Sequence, residues 1–432
     1  MTELEFYLFN NGSYPYVPRA VETDRKSLFV STPNSMYRPL RGQQVLSEYV
    51  DTLVHAEHLG FDGVLTTEQH NGPIGLSSAA MQTAGWVAAR TSNIRVGAVG
   101  PILNAYASPM RLVEEVNVLD TLSGGRFILG LPMGIGMQYH SYGVTNPAEA
   151  RGRYREALNL MLRAWTEDGP FEHRGEYFHI PYVNPWPRQM QTPHPEVWIP
   201  AAGSRETLEL CAEKRLAYQA VNVPWPVLEK NTALFRELCR DVGYEADPRQ
   251  TVAVVNLHVA ETDEKAREEM EPHLMWVFQN FLKSHFYDSF PPGHVSTASL
   301  SGMMRGGYRS KEVADTTWEE AVADHTLIAG SPDTVAEKLE FVAQRLQAGR
   351  VIVIADQSTM PTWLVRKSLG LLAEEVMPRF RRDGRPVWDR GEPAAGWRTI
   401  SELAARDGRP ELQPRASVAG RGVVEVRNEY AK

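Results

Sequence analysis

Gly60-Phe61-Asp62-Gly63-Val64-Leu65-Thr66-Thr67-Glu68-Gln69-His70 is the stretch from which the fold is read. Upstream of it, Val45, Tyr49, Leu53 and Ala56 recur at three- and four-residue steps. That is one apolar stripe of a helix predicted over Gln43–Leu59. Gly60 stands where a left-handed helix cap belongs. Gly63–Thr67 then has the length and composition of a buried strand, and Glu68-Gln69-His70 falls just past its C-terminal end. Helix, glycine, strand and polar cluster make one unit of an alternating α/β chain.

The same unit recurs in both directions. Strands are predicted at Leu4–Phe9, Ile94–Val99, Phe127–Leu131, Val197–Pro200, Tyr218–Val221, Thr251–Val259 and Val351–Ala355. Helices are predicted over Ser77–Arg90, from Pro109 to the Ser123-Gly124-Gly125 stop, and over Ala148–Trp165, Arg205–Lys214 and Pro226–Val242. Ser331-Pro332 reads as the cap and first position of another, with Val335, Leu339, Val342 and Leu346 as its stripe, and a last helix covers Pro361–Val376. Phe171–Ile180 reads as a hairpin excursion. Strands alternating with helices in this number predict a (β/α)₈ TIM barrel over residues 1–382. A long section at 260–326, helical over Asp263–His285, is inserted before the last strand. Residues 383–432 form a polar extension, with the chain from Arg381 onward placed outside the barrel. The rival is an open doubly wound sheet, but no Gly-x-Gly-x-x-Gly follows the first strand.

Composition narrows the function. Of the 432 residues, 43% are hydrophobic and 23% charged, an ordinary globular balance. A net charge of −8 argues against nucleic acid or anionic membrane as the main partner. The two cysteines, Cys211 and Cys239, make neither a disulfide framework nor a metal motif. MTELEFYLFN has no apolar core of a signal peptide, and no stretch approaches the ~20 apolar residues of a membrane span. A cytoplasmic protein is expected.

Barrel active sites lie at the C-terminal strand ends. The candidates there are Glu68-Gln69-His70, Gly100-Pro101, Asn104, Met133, Gly134, Gly136, Gln138, Tyr139, Ala201 to Ser204, Asn222, Trp225, Asp356 and Gln357. Metal-ligand spacing, the Gly-x-Ser-x-Gly elbow and the Walker loop are all missing, so a cofactor-bearing barrel gains ground. Ala201-Ala202-Gly203-Ser204 leads straight into a helix. The helix dipole, free N–H groups, the Ser204 and Thr207 hydroxyls, Arg205 and Arg151 would suit a phosphate. A plain helix cap at Ser204 and a plain turn at Gly203 explain the same residues. Trp225, Trp276, Phe278, Phe281, Met303 and Met304 suit either an apolar pocket or ordinary packing.

Several blocks resemble the bacterial luciferase-like flavin monooxygenases. Leu59 to Val64 followed by Thr67-Glu68-Gln69-His70 resembles that family's Gly-Phe-Asp-x-Val and Glu-His-His signature. Arg90 to Gly97, Leu119 to Phe127, Pro193 to Ile199, Gly330 to Val335 and Glu374 to Pro378 are similar to five further blocks, in order, across residues 3–382. The resemblance implies a two-component enzyme. A separate reductase supplies reduced FMN (FMNH₂), O₂ adds at the flavin C4a position, and the (hydro)peroxide oxidises a small organic substrate. It also implies a homodimer and a mobile active-site loop between the last two strands. Carried over residue by residue, Gly203, Ser204 and Thr207 fall at the flavin phosphate, with Arg151 as a second phosphate ligand. Val99-Gly100 falls at a non-prolyl cis peptide under the ring, and Asn104 and Tyr139 at the pocket wall. Two positions depart from the pattern. Gln69 replaces the first His, which is the catalytic one in luciferase, and leaves His70 to act as acid or base. Met133 replaces a phosphate-binding Arg. Those departures keep open a deazaflavin (F420)-dependent dehydrogenase and a non-catalytic flavin-binding partner subunit.

Overall fold

A computed structural model describes residues 2–19, 28, 32–144, 146–220, 223–282, 289–295, 297, 300–301 and 313–389. Its strands, in chain order, are β1 (Glu5–Phe9), β2 (Gly63–Thr66), β3 (Arg95–Val99), β4 (Phe127–Gly130), β5 (Phe171–Arg174), β6 (His179–Val183), β7 (Glu196–Ala201), β8 (Ala217–Ala220), β9 (Thr251–Val259), β10 (Leu327–Gly330) and β11 (Arg350–Ile354). The order β9-β11-β1-β2-β3-β4-β7-β8 is parallel throughout, and β8 pairs back onto β9. The sheet therefore closes as the expected (β/α)₈ barrel. β5 and β6 form the expected antiparallel hairpin outside it.

Both faces of these strands are covered, which is why they read as unbroken apolar runs. Tyr7, Leu65, Ile128, Trp198, Val252 and Ile352 fill the barrel interior. Their alternates pack outward under the helices α1 (Pro39–His58), α2 (Ala80–Ala88), α3 (Pro109–Leu122), α4 (Gly136–Tyr139), α5 (Ala150–Thr166), α6 (Arg205–Lys214), α7 (Trp225–Asp241), α8 (Asp263–Asn280), α9 (Trp318–Ala323), α10 (Pro332–Leu346) and α11 (Thr362–Leu371). Gly60 takes φ +76°, as its place after α1 requires.

The lower end of the barrel is sealed by charge. Glu196 pairs with both Arg95 and Arg350, and Arg350 Nε donates to Glu5 Oε2 at 2.8 Å. Tyr7 Oη and Trp198 Nε1 donate to Glu5 and Glu196 at 2.9 and 2.8 Å. The two arginines hold the Glu196 carboxyl far below the usual range although burial pushes it up.

The insertion and the tail differ from expectation. α8 stops at Asn280, short of His285. β10 was not anticipated: it is a four-residue run directly before the α10 cap, too short to stand out, and it extends the sheet beside the upper half of β9. Residues 381–389, expected outside the barrel, close against its lower end. Arg381 Nη2 and the Val387 N–H donate to Asp62 at 2.7 and 2.8 Å, and Trp388 Nε1 donates to the Phe61 carbonyl at 2.8 Å. Tail residues 390–432 lie outside the described residues. Among the described residues no helix is long and apolar enough to cross a membrane.

Candidate active site

Beyond the upper end of β2 the chain folds Glu68 and His70 into a connected pair. Glu68 Oε1 accepts from the Ile102 N–H at 3.0 Å, and Oε2 from the Ala80 N–H at 3.4 Å. His70 Nε2 lies 3.1 Å from Glu68 Oε1, and His70 Nδ1 lies 3.1 Å from the hydroxyl of Tyr142. Both carboxylate oxygens already accept backbone donors, so Nε2 must carry the imidazole proton and donate it. A neutral imidazole then leaves Nδ1 to accept from Tyr142. Glu68 and His70 are buried, whereas Tyr142 is 49% exposed. The turn carrying Tyr142 is tied to the β2 loop by the Asn71 amide, which donates to the Met137 carbonyl at 2.6 Å and to Ser141 Oγ.

The other expected mouth residues have different surroundings. Gln69 is held by long contacts, from its amide to Thr67 Oγ1 and from the Gln138 amide to its oxygen, each 3.4 Å. The Val99–Gly100 peptide is cis. Asn104 is buried and braces two elements, donating to the Met133 and Ala150 carbonyls at 3.2 and 3.1 Å. Tyr139 is buried too, with its hydroxyl 2.6 Å from His294 Nδ1 and its ring stacked on that imidazole. Burial pushes the Tyr139 phenol up to about 12 and the His294 imidazole down to about 4, with Arg151 and His140 adding to the latter. His294 belongs to the insertion after α8, so this pair fastens that insertion to the β4 loop. Phe281, near the end of α8, packs with Ile74 and Met137 of the mouth loops. Trp225 instead stacks on Phe341, with His325 alongside. Asn222, Met303 and Met304 lie outside the described residues.

The start of α6 makes the second cluster. Gly203 takes φ +83°, and a Cβ there would lie 2.3 Å from Asn231 Nδ2 and 2.6 Å from Tyr218 Oη. Ser204 is the N-cap, yet its side chain caps no N–H. Its hydroxyl lies 3.0 Å from that of Thr207 instead. By contrast Ser331 and Thr262 both accept a backbone N–H at their caps. Arg151 Nη1 lies 3.1 Å from Glu206 Oε2 in the first turn of α6, an ion pair without hydrogen-bond alignment. The fold therefore brings Gly203, Ser204, Thr207 and Arg151 together.

Sequence reasoning placed Tyr142 and His294 in no role. Tyr142 is separated from His70 by the whole of β3 and β4, and His294 lies in a segment without periodicity. Asp356, on the shortlist, is pushed up to about 6 by burial, while Asn10 and the Ser358 backbone pull it down.

Comparison with known proteins bears on the chemistry. The family model for luciferase-like monooxygenases matches residues 27–347. The alkanal monooxygenase alpha chain of Photobacterium leiognathi is 29% identical over 358 residues, covering 78% of this chain and 94% of that protein. The oxygenase component of the flavin-dependent trigonelline monooxygenase of Acinetobacter baylyi is 23% identical over 350 residues, covering 78% and 91%. Among solved structures, the oxygenating constituent of 3,6-diketocamphane monooxygenase from Pseudomonas putida, in complex with FMN, superposes with a TM-score of 0.64. It is 19% identical and covers 88% of this chain and 99% of that one. With the barrel, the ordered sequence blocks and the matched span in agreement, this chain belongs to the luciferase-like monooxygenase family and is a flavin-dependent monooxygenase.

Proposed function

We propose that the chain is the oxygenase of a two-component system. It takes reduced FMN from a separate reductase and uses O₂ to oxidise a small organic substrate. The observation that carries this reading is the start of α6. Two hydroxyls stand together there, a glycine leaves no room for a Cβ, and Arg151 faces the first turn. That donor set fits a phosphomonoester dianion. Glu206 would release Arg151 to the phosphate. Val99-Gly100 lies at the barrel mouth to support a ring, and Asn104 and Tyr139 hold the surrounding loops in place. The acid–base role lies with His70 and the groups hydrogen-bonded to it, and Gln69, which cannot exchange protons near neutral pH, holds the mouth loops together. Bound reduced FMN would supply the oxygen-activating chemistry. The residues of the mouth would exclude water and move protons.

Anaerobic titration with reduced FMN, reduced FAD and reduced deazaflavin tests the cofactor. Reduced FMN is expected to bind most tightly. Ser204→Ala with Thr207→Ala should weaken it by about 10- to 100-fold, the worth of one charge-assisted hydrogen bond. Tighter binding of the reduced deazaflavin would transfer the chain to hydride chemistry.

The chain pairs as a homodimer through neighbouring faces of α2 and α3. Trp86, Val118 and Leu122 are exposed there, and a Cβ at Gly85 would meet open space. Sedimentation equilibrium should give twice the chain mass, and Trp86→Glu with Leu122→Glu should give the monomer. A cytoplasmic location belongs to the same reading.

A further inference from the structure

The acid–base reading of His70 meets a geometric obstacle. The imidazole is buried and both of its nitrogens are engaged, Nε2 by Glu68 and Nδ1 by Tyr142. No ring nitrogen is left to meet a ligand. The one member of the chain that reaches open space is the Tyr142 phenol, edge-on to the imidazole with ring centroids 4.8 Å apart. We infer that Tyr142 is the catalytic residue of this unit, the group that exchanges a proton with an N–H or O–H donor bound at the mouth. His70 is then the relay and Glu68 the positioning residue.

The proton movement balances. The resting unit holds a Glu68 carboxylate, a neutral His70 protonated on Nε2 and a neutral Tyr142. The ligand's X–H gives its proton to Tyr142 Oη as the phenolic proton passes to His70 Nδ1. The product is X⁻, an intact phenol and an imidazolium facing the Glu68 carboxylate. The direction is that of a base, because the resting unit carries one negative charge and can accept one proton. Burial, and then the Glu68 charge, raise the Tyr142 phenol above its ordinary value, so it stays protonated at neutral pH and can serve as the bridge. Among the described residues the other titratable groups around it are few. Tyr106 lies nearby, with its hydroxyl 3.4 Å from Glu115 Oε2. His140, in the same turn, is occupied by the Val144 carbonyl at 2.9 Å.

Two measurements on the full chain test this, and only the second rests on the flavin reading. The first uses ¹⁵N NMR of the His70 side chain in the protein without cofactor. Wild type should show Nε2 protonated and Nδ1 as a hydrogen-bonded acceptor. Tyr142→Phe should shift Nδ1 alone, and Glu68→Gln should disturb the tautomer. Nδ1 protonated in the wild type, or unmoved in Tyr142→Phe, overturns the relay. The second mixes the protein–FMNH₂ complex with O₂ between pH 6 and 9 and follows FMNH₂ + O₂ → FMN + H₂O₂, in which two electrons and two protons leave the flavin. Tyr142→Phe is expected to bind FMNH₂ as wild type does, to slow reoxidation by about 10²-fold or more, and to flatten its pH dependence. Unchanged rate and unchanged pH profile overturn the catalytic role. If FMNH₂ does not bind the wild type, the cofactor reading falls, and the NMR result alone decides the relay.

Discussion

Two buried carboxylates stand at opposite ends of β2, and the chain uses them in opposite ways. Asp62, just below the strand, accepts from the Phe6 N–H at 2.8 Å, the Val387 N–H at 2.8 Å and the Arg381 guanidinium at 2.7 Å. Every partner belongs to the framework, and none leads on to open space. Glu68, just above the strand, is likewise held by two backbone N–H groups, but its third partner is His70, which leads to the half-exposed Tyr142. The lower carboxylate closes a circle of donors, and the upper one is the end of a line. A buried charge is tolerated in both settings because its hydrogen bonds are made. What separates framework from chemistry is whether the partner beyond the first bond reaches the mouth.

The largest effect should come from opening the closed circle. Arg381→Ala leaves Asp62 buried without its cation, and breaking such a pair costs about 3–5 kcal/mol. Urea unfolding should show the midpoint falling with little change in slope. Reduced-FMN affinity well below that midpoint should not move, since the pair lies at the far end of the barrel. Arg381→Met with Asp62→Asn should recover part of the loss, because it removes the charge as well as its partner. A loss below about 1 kcal/mol in Arg381→Ala would mean that water reaches Asp62, and the contrast with Glu68 would collapse.

The run from Gly60 to His70 disclosed much of this and hid one half of it. Its helix cap, strand and polar cluster were legible because each is a local pattern: a stripe, a glycine at positive φ, a run of buried residues. Gly203, Ser204, Thr207 and Arg151 were also legible as one cluster, since three of them adjoin a helix start. Asp62 was read only as part of a motif. Its partners Arg381 and Val387 lie in a tail whose composition resembles disorder, and no local pattern announces a segment that docks by a few long-range bonds. Tyr142 was hidden for the same reason. Its turn has no periodicity, and only the pairing of β2, β3 and β4 brings it to His70. β10 escaped because a four-residue strand carries too little pattern to separate it from the helix cap that follows.

A partly buried carboxylate at the mouth offers a smaller test. Asp356 follows β11 at the mouth, and its hydrogen bonds come from Asn10 and the Ser358 backbone, neither of them charged. Burial outweighs them, with the Glu48 charge adding to it, and lifts its carboxyl from 3.8 to about 6; burial raises the Asp62 carboxyl too, in spite of Arg381 and its backbone donors. For an acid raised in this way, the folded protein binds its proton more tightly than the unfolded chain does. Stability should therefore rise as the pH falls from 7 towards 4, and should be lost as the pH climbs through about 6. Asp356→Asn keeps the shape and removes the charge. It should stabilise the protein at pH 7.5 by up to about 3 kcal/mol, the span from 3.8 to about 6 converted at ~1.36 kcal/mol per unit. At pH 4 the gain should vanish, because the wild-type carboxyl is then protonated as well. Thermal unfolding of the two proteins at pH 4 and 7.5 reads the difference directly. Equal stabilities at pH 7.5 would mean that Asn10 and the Ser358 backbone offset the burial of Asp356.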